Sequence, residues 1–173
     1  VDSGRLESTW PVHGSVLVAD GDVYFVAGRS SYLDGGMMLY RLDAAKGTVL
    51  ARRHMYSRDP ETGRQPEEEM MFEMPGALPD VLSLRDGLVY LRHLAFDNGT
   101  LERREAKRHM YSPAGFLNDD WWHRTYWIEG THFYGGYIGW YFAGRETPAG
   151  RLLTFNDQRI YGYGYRPDYY RGS

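Results

Sequence analysis

The chain has no cysteine, which removes disulfides, thiolate metal ligands and cysteine nucleophiles at once. It also has no run of about eighteen apolar residues, the minimum for a membrane-spanning helix, so no membrane span is expected. There is little excess charge of either sign: the formal net charge is −3, and the basic pairs Arg103-Arg104 and Lys107-Arg108 stand among Glu102 and Glu105. Phosphate binding needs clustered Lys and Arg, so nucleic acid is not an expected partner and these charges read as a solvated strand face. The glycines of Gly28-Arg29-Ser30-Ser31 and Asp34-Gly35-Gly36 lack the strand-to-helix setting of a phosphate loop. No Ser/His/Asp set has a recognisable spacing.

What is present points to strands. Of 173 residues 42% are apolar, enough for one domain with a core, and the aromatics lean to Tyr, 15 against 7 Phe, beside 21 Gly. Tyr suits a half-buried pleat and Gly suits turns, so both favour sheets over helices. A recurring unit carries this further: an alternating apolar run, an acidic residue with glycine, and a second alternating run. It occurs at Ser15 to Ala19, Asp20-Gly21 and Asp22 to Val26, and again at Val81 to Leu84, Asp86-Gly87 and Leu88 to Leu91. A weaker third copy runs Arg124 to Ile128, Glu129-Gly130 and Thr131 to Tyr134. Asp-Gly supplies the positive φ of a tight hairpin turn.

The recurrence predicts an all-β fold of β-propeller blades, about three four-stranded antiparallel units forming part of a larger propeller. The expected blades cover residues 12–56, 80–112 and 121–165 of a single partial domain spanning 1–173. The first is completed by strands at Met37 to Leu42 and from Thr48 onward, and the third ends in a hairpin of Arg151 to Phe155 and Arg159 to Tyr163. Residues 57–79 lack periodicity, are rich in proline, carry Glu67-Glu68-Glu69, and read as an excursion from the sheet whose Met70-Met71-Phe72 covers a neighbouring blade. The pentapeptide Arg-His-Met-Tyr-Ser occurs at Arg53 to Ser57 and at Arg108 to Ser112, each copy placed where the last strand of its blade is expected. Repeated packing explains it better than His54 and His109 acting as metal ligands. Three blades leave strand edges unpaired at both ends. With Val1 in place of Met, the chain reads as an excerpt of a longer protein.

The stretch Asp20-Gly-Asp-Val-Tyr-Phe25, followed by Leu39-Tyr40 and by Leu42-Asp-Ala-Ala-Lys-Gly-Thr-Val-Leu50, resembles the blade repeat of quinoprotein-type, PQQ-binding-like propellers. Lys46 stands where that repeat usually has Thr, and Ala51 where Trp commonly falls. Trp10 to Ser15, Leu78 to Leu82 and Gly115 to Trp127 resemble segments of large bacterial propeller-repeat proteins of the non-dehydrogenase branch. The resemblance implies a propeller in a periplasmic or extracellular setting, with the remaining blades of a parent chain as partners. It does not imply an oxidoreductase: dehydrogenases of that superfamily hold a quinone with calcium and often a vicinal disulfide, and this chain has no Cys pair.

The densest chemical cluster is Asn118 followed by Asp119, Asp120, Trp121, Trp122, His123 and Arg124, the last six being the candidate ligand-binding residues. Carboxylates, an imidazole, a guanidinium and indoles are the ingredients of a polar pocket with aromatic walls. Adjacent Asp side chains in an extended segment point to opposite faces, however, and the Trp residues equally suit wedging between blades. A second aromatic run, His132 to Phe142, alternates rings with glycines and suits either inter-blade packing or a stacked sugar. The leading expectation is a non-catalytic binding or scaffold module for a protein or polysaccharide ligand, with no catalytic residues, no metal and no cofactor. The alternatives are a dehydrogenase fragment using PQQ with calcium, and a carbohydrate-binding or carbohydrate-active propeller.

Overall fold

The computed structural model describes residues 6–64, 76–111, 127–131, 149–150, 152–156 and 158–163. Among them there are β-strands and no α-helix, so the fold is all-β, and no described helix is long and apolar enough to cross a membrane. The first sheet runs in chain order through β1 (Leu17–Ala19), β2 (Asp22–Ala27), β3 (Met37–Asp43) and β4 (Val49–Met55). The second repeats the plan with β5 (Leu82–Arg85), β6 (Leu88–Leu91), β7 (Leu94–Asp97) and β8 (Arg103–Arg104). All neighbours in both sheets are antiparallel.

Local chemistry builds both sheets in the same way. Asp20 and Gly21 have φ of 51° and 83°, Asp86 and Gly87 have 52° and 75°, and the two-residue loops that need these angles turn β1 into β2 and β5 into β6. The third and fourth strands are joined at Asp43 and Asp97, whose carboxylates fold back on their own turns. Asp43 Oδ1 accepts the N–H groups of Ala45 and Lys46, and Asp97 Oδ1 those of Gly99 and Thr100. Hydrogen bonds led by the Thr100 N–H hold the Asp97 carboxyl below the usual carboxylate range. Asp59 caps the turn after β4 likewise, accepting from Glu61 and Thr62. Asn156 accepts from Gln158 and Arg159 where β12 (Leu152–Phe155) turns into β13 (Ile160–Tyr163).

Two local readings are corrected. Glu129-Gly130 is not a hairpin turn but the end of β10 (Trp127–Gly130), with Glu129 opposite Met110 and Gly130 opposite His109. The second Arg-His-Met-Tyr-Ser copy does not close the second sheet. Its β9 (His109–Tyr111) pairs with β10, which pairs in turn with β11 (Ala149–Gly150), while Arg103–Arg104 is the fourth strand beside β7. The first copy keeps its expected place in β4, paired to β3. Most of residues 121–165, and the segment Met70-Met71-Phe72, lie outside the described residues.

The sheets stack. Alternation puts Tyr24, Val26, Met37, Leu39 and Met55 on one face of the first sheet, where they form a single core with Leu82, Val89, Leu91 and Phe96 of the second. Full burial of each such side chain is worth about 1.5–3 kcal/mol. Tyr24 Oη donates to the Asn98 carbonyl at 3.0 Å, and Arg41, ion-paired to Asp22 at 2.6 Å, donates to the Gly99 carbonyl at 2.7 Å. The first strands of the two sheets, β1 and β5, come into contact. The opposite face of the second sheet, Leu88, Tyr90 and Ala95, is buried as well, with the His109 ring of β9 stacked on Tyr90 at 4.0 Å between centroids. Strand β6 is therefore buried on both sides over its whole length.

Candidate functional site

The polar chemistry of the described residues gathers at one end of the stacked sheets. There β2 passes to β3 through residues 28–36, β6 passes to β7 through Arg92-His93, and residues 76–81 lead into β5. The glycines of residues 28–36 make the crossing tight: a Cβ on Gly36, whose φ is 98°, would lie 2.5 Å from the Met55 carbonyl and 3.0 Å from His54 Nε2. Gly36→Ala is therefore expected to destabilise the fold by about 1–3 kcal/mol, read as a lower urea midpoint; an unchanged midpoint would show that β4 yields freely.

Beneath this surface the serines hold backbone to backbone. Ser31 donates its N–H to the Ala77 carbonyl at 2.9 Å and takes the Ala77 N–H on Oγ at 2.8 Å. Ser57 adds its N–H to the Ser31 carbonyl and its hydroxyl to Ser31 Oγ. Between the sheets, the Ser15 N–H reaches the Asp80 carbonyl and Ser15 Oγ accepts the Leu82 N–H. Asp80 itself is buried, its Oδ1 accepting the Val81 N–H at 2.7 Å and its Oδ2 lying 3.8 Å from Arg92 Nε. Burial dominates and pushes its carboxyl up to about 6, against the opposing pull of the Val81 N–H and the Arg92 charge.

The repeated pentapeptide contributes a histidine in the same role twice. His54 Nε2 bonds the Gly35 carbonyl in the β2–β3 connection at 2.7 Å, and His109 Nε2 bonds the Arg92 carbonyl in the β6–β7 turn. Each imidazole also stacks on the tyrosine two residues on, His54 on Tyr56 and His109 on Tyr111, because alternate residues of a strand share a face. His109 is buried, and its Nδ1 faces the Lys107 carbonyl at 2.8 Å. His54 is exposed and forms with Tyr56 and the half-buried Trp10 a rim of three rings around Gly35. Trp10 and His54 are 6.1 Å apart, and the His54 and Tyr56 planes lie within 5° of each other.

The sequence-predicted ligand residues Asp119, Asp120, Trp121, Trp122, His123 and Arg124 lie outside the described residues, as does the run His132 to Phe142. Among the described residues no group of three or more His, Asp or Glu is placed to hold one metal ion, and His54 and His109 each bond a carbonyl instead. Sequence reasoning missed the Asp80–Arg92 pair and the Trp10 rim. The available signals were weak: Asp80 directly precedes an apolar strand, and Trp10 precedes Pro11 in the segment that enters the first hairpin. The chain matches no family model and no curated protein.

Proposed function

We propose that the chain is a propeller-type repeat module, similar to the blades of PQQ-binding-like proteins, serving as a non-catalytic binding or scaffold domain of an extracytoplasmic protein. The observation that carries this reading is the burial of β6 on both faces between successive antiparallel sheets, the packing a blade has between two neighbours. The scaffold role draws support from the use of the polar groups at the loop end. The side chains of Ser15, Ser31 and His109 bond backbone groups, and the Ser57 hydroxyl donates to Ser31 Oγ, which leaves all four committed to joining segments. The ligand surface in this reading is the rim of Trp10, His54 and Tyr56, whose flat rings suit the C–H face of a sugar in a polysaccharide.

Two titrations test it. Adding pyrroloquinoline quinone with calcium while following absorbance is expected to give no saturable change. Saturable binding together with dye reduction on adding an alcohol or sugar would overturn the reading in favour of a dehydrogenase. Adding neutral and acidic oligosaccharides while following tryptophan fluorescence is expected to give a saturable response that Trp10→Ala removes without changing the melting temperature. A response that survives Trp10→Ala would place the ligand elsewhere.

A further inference from the structure

The two four-stranded sheets are equivalent strand for strand, and the equivalence marks a face of the first sheet that no described sheet covers. Setting Asp20-Gly21 over Asp86-Gly87 matches Val18, paired to Val23, with Leu84, paired to Val89; it also matches the pair Val23 and Leu42 with the pair Val89 and Phe96. In the second sheet the residues on this face are sealed: Val89 and Leu91 are fully buried against Tyr24, Val26, Met37 and Leu39 of the first. In the first sheet the same face carries Val18, Val23, Phe25, Tyr40 and Leu42, and among the described residues no sheet lies over it. Val18 is 66% exposed, and the Phe25 and Tyr40 rings stack on each other at 5.1 Å.

A second open surface lies at the other end of the stack. The β12–β13 hairpin pairs Leu152 with Tyr163 and Thr154 with Tyr161, so these four share one face. Leu152 is 67% exposed and Tyr163 77%. A two-stranded hairpin with an uncovered apolar face is marginal by itself, and its other face is already engaged, Phe155 taking the Arg85 guanidinium at 5.1 Å.

We propose that a second copy of this chain covers the open face of the first sheet, head to tail, by placing its β12–β13 hairpin face over Val18, Val23 and Phe25. The partner is argued from the packing already present. Each later sheet stacks on one particular face of the sheet before it, the second on the first and β9 on the second. One more step of the same kind, taken between copies, satisfies both open surfaces. Such an interface is heterologous: the two contributing patches differ, so it closes into a ring or grows as a filament. The inference rests on the sheet stacking and deepens the scaffold reading. Its test reads mass and melting temperature with no ligand present, so its failure is separable from a failure of the ligand titrations.

The test is sedimentation velocity on wild type, Val18→Lys, Tyr163→Lys and an equimolar mixture of the two variants, between about 1 and 100 μM, a range that spans weak to moderate association. Both positions are already mostly exposed, so each variant is expected to keep the wild-type melting temperature. Wild type is expected to gain mass with concentration, and each variant alone to stay monomeric. The mixture is expected to form a one-to-one dimer and no larger species, because each variant keeps the face the other has lost. A wild type that is monomeric throughout overturns the proposal. So does loss of association in Val18→Lys with full association in Tyr163→Lys, which would mean pairing between two copies of the first face. A melting temperature lowered by Val18→Lys in a monomer would show that the chain covers this face itself, and would overturn it too.

Discussion

Phe96→Ala is expected to cost about 3–5 kcal/mol, the range for removing a fully buried aromatic ring. Phe96 is 2% exposed at the seam between the two four-stranded sheets, so its loss opens a cavity that both sheets line. The ring also lies 5.4 Å beneath the Arg103 guanidinium on the neighbouring strand β8, a contact that disappears with it. Because the seam is shared, both sheets should lose stability together, in one urea transition displaced to lower denaturant. Val18→Ala, at an equally apolar but mostly exposed position, is expected to change stability by less than about 0.5 kcal/mol. Equal midpoints for the two variants would show that the sheets do not depend on their mutual packing.

That contrast between Phe96 and Val18 is not readable in the chain itself. Both sit in alternating apolar runs, and which run is covered depends on a neighbour far away in sequence. What was legible is the set of features closed within a few residues. The Asp20-Gly21 and Asp86-Gly87 turns follow from positive φ and flanking alternation, and the Asp43 and Asp97 turns from a carboxylate folding onto the next N–H groups. Illegible features depend on partners chosen at long range. Glu129-Gly130 has the composition of a turn, yet pairing with β9 keeps it extended. The repeated pentapeptide preserves the local role of its histidine, a bond to the carbonyl of a turn and a stack on the tyrosine two residues on, in both copies. Strand membership nevertheless differs between the copies. Strand β8 ends at Arg104, and the second copy, which starts 11 residues after Asp97 where the first starts 10 after Asp43, pairs with β10 instead. The candidate site shows the same division. His54 was visible through its repeat, whereas Asp80 became interesting only through Arg92 and Ser15, which meet its segment in space.

Asp80 should leave a measurable mark on stability against pH. Its folded pKa of about 6 stands above the value near 3.9 of an unfolded Asp, so the folded chain binds the proton more tightly. Below about pH 4 both states are protonated and the advantage of the folded state is complete. Between about 4 and 6 the unfolded chain releases its proton first, so stability falls as pH rises; above 6 the loss is complete and level. A shift of about two units corresponds to about 3 kcal/mol, the net cost of ionising a carboxyl whose burial outweighs its Val81 N–H and Arg92 partners. Asp59 and Asp97 act in the opposite sense: their lowered pKa values give stability that is lost as pH falls through those values, below the Asp80 window. Asp80→Asn keeps an oxygen for the Val81 N–H and removes the titration. The expected result is that the difference in unfolding free energy between wild type and Asp80→Asn drifts against wild type by about 3 kcal/mol from pH 4 to pH 6.5 and then stays constant. Urea unfolding at closely spaced pH values decides it. A difference that is flat across this interval would mean that Asp80 ionises in the folded chain at an ordinary pH, and that Arg92 offsets the whole cost of its burial.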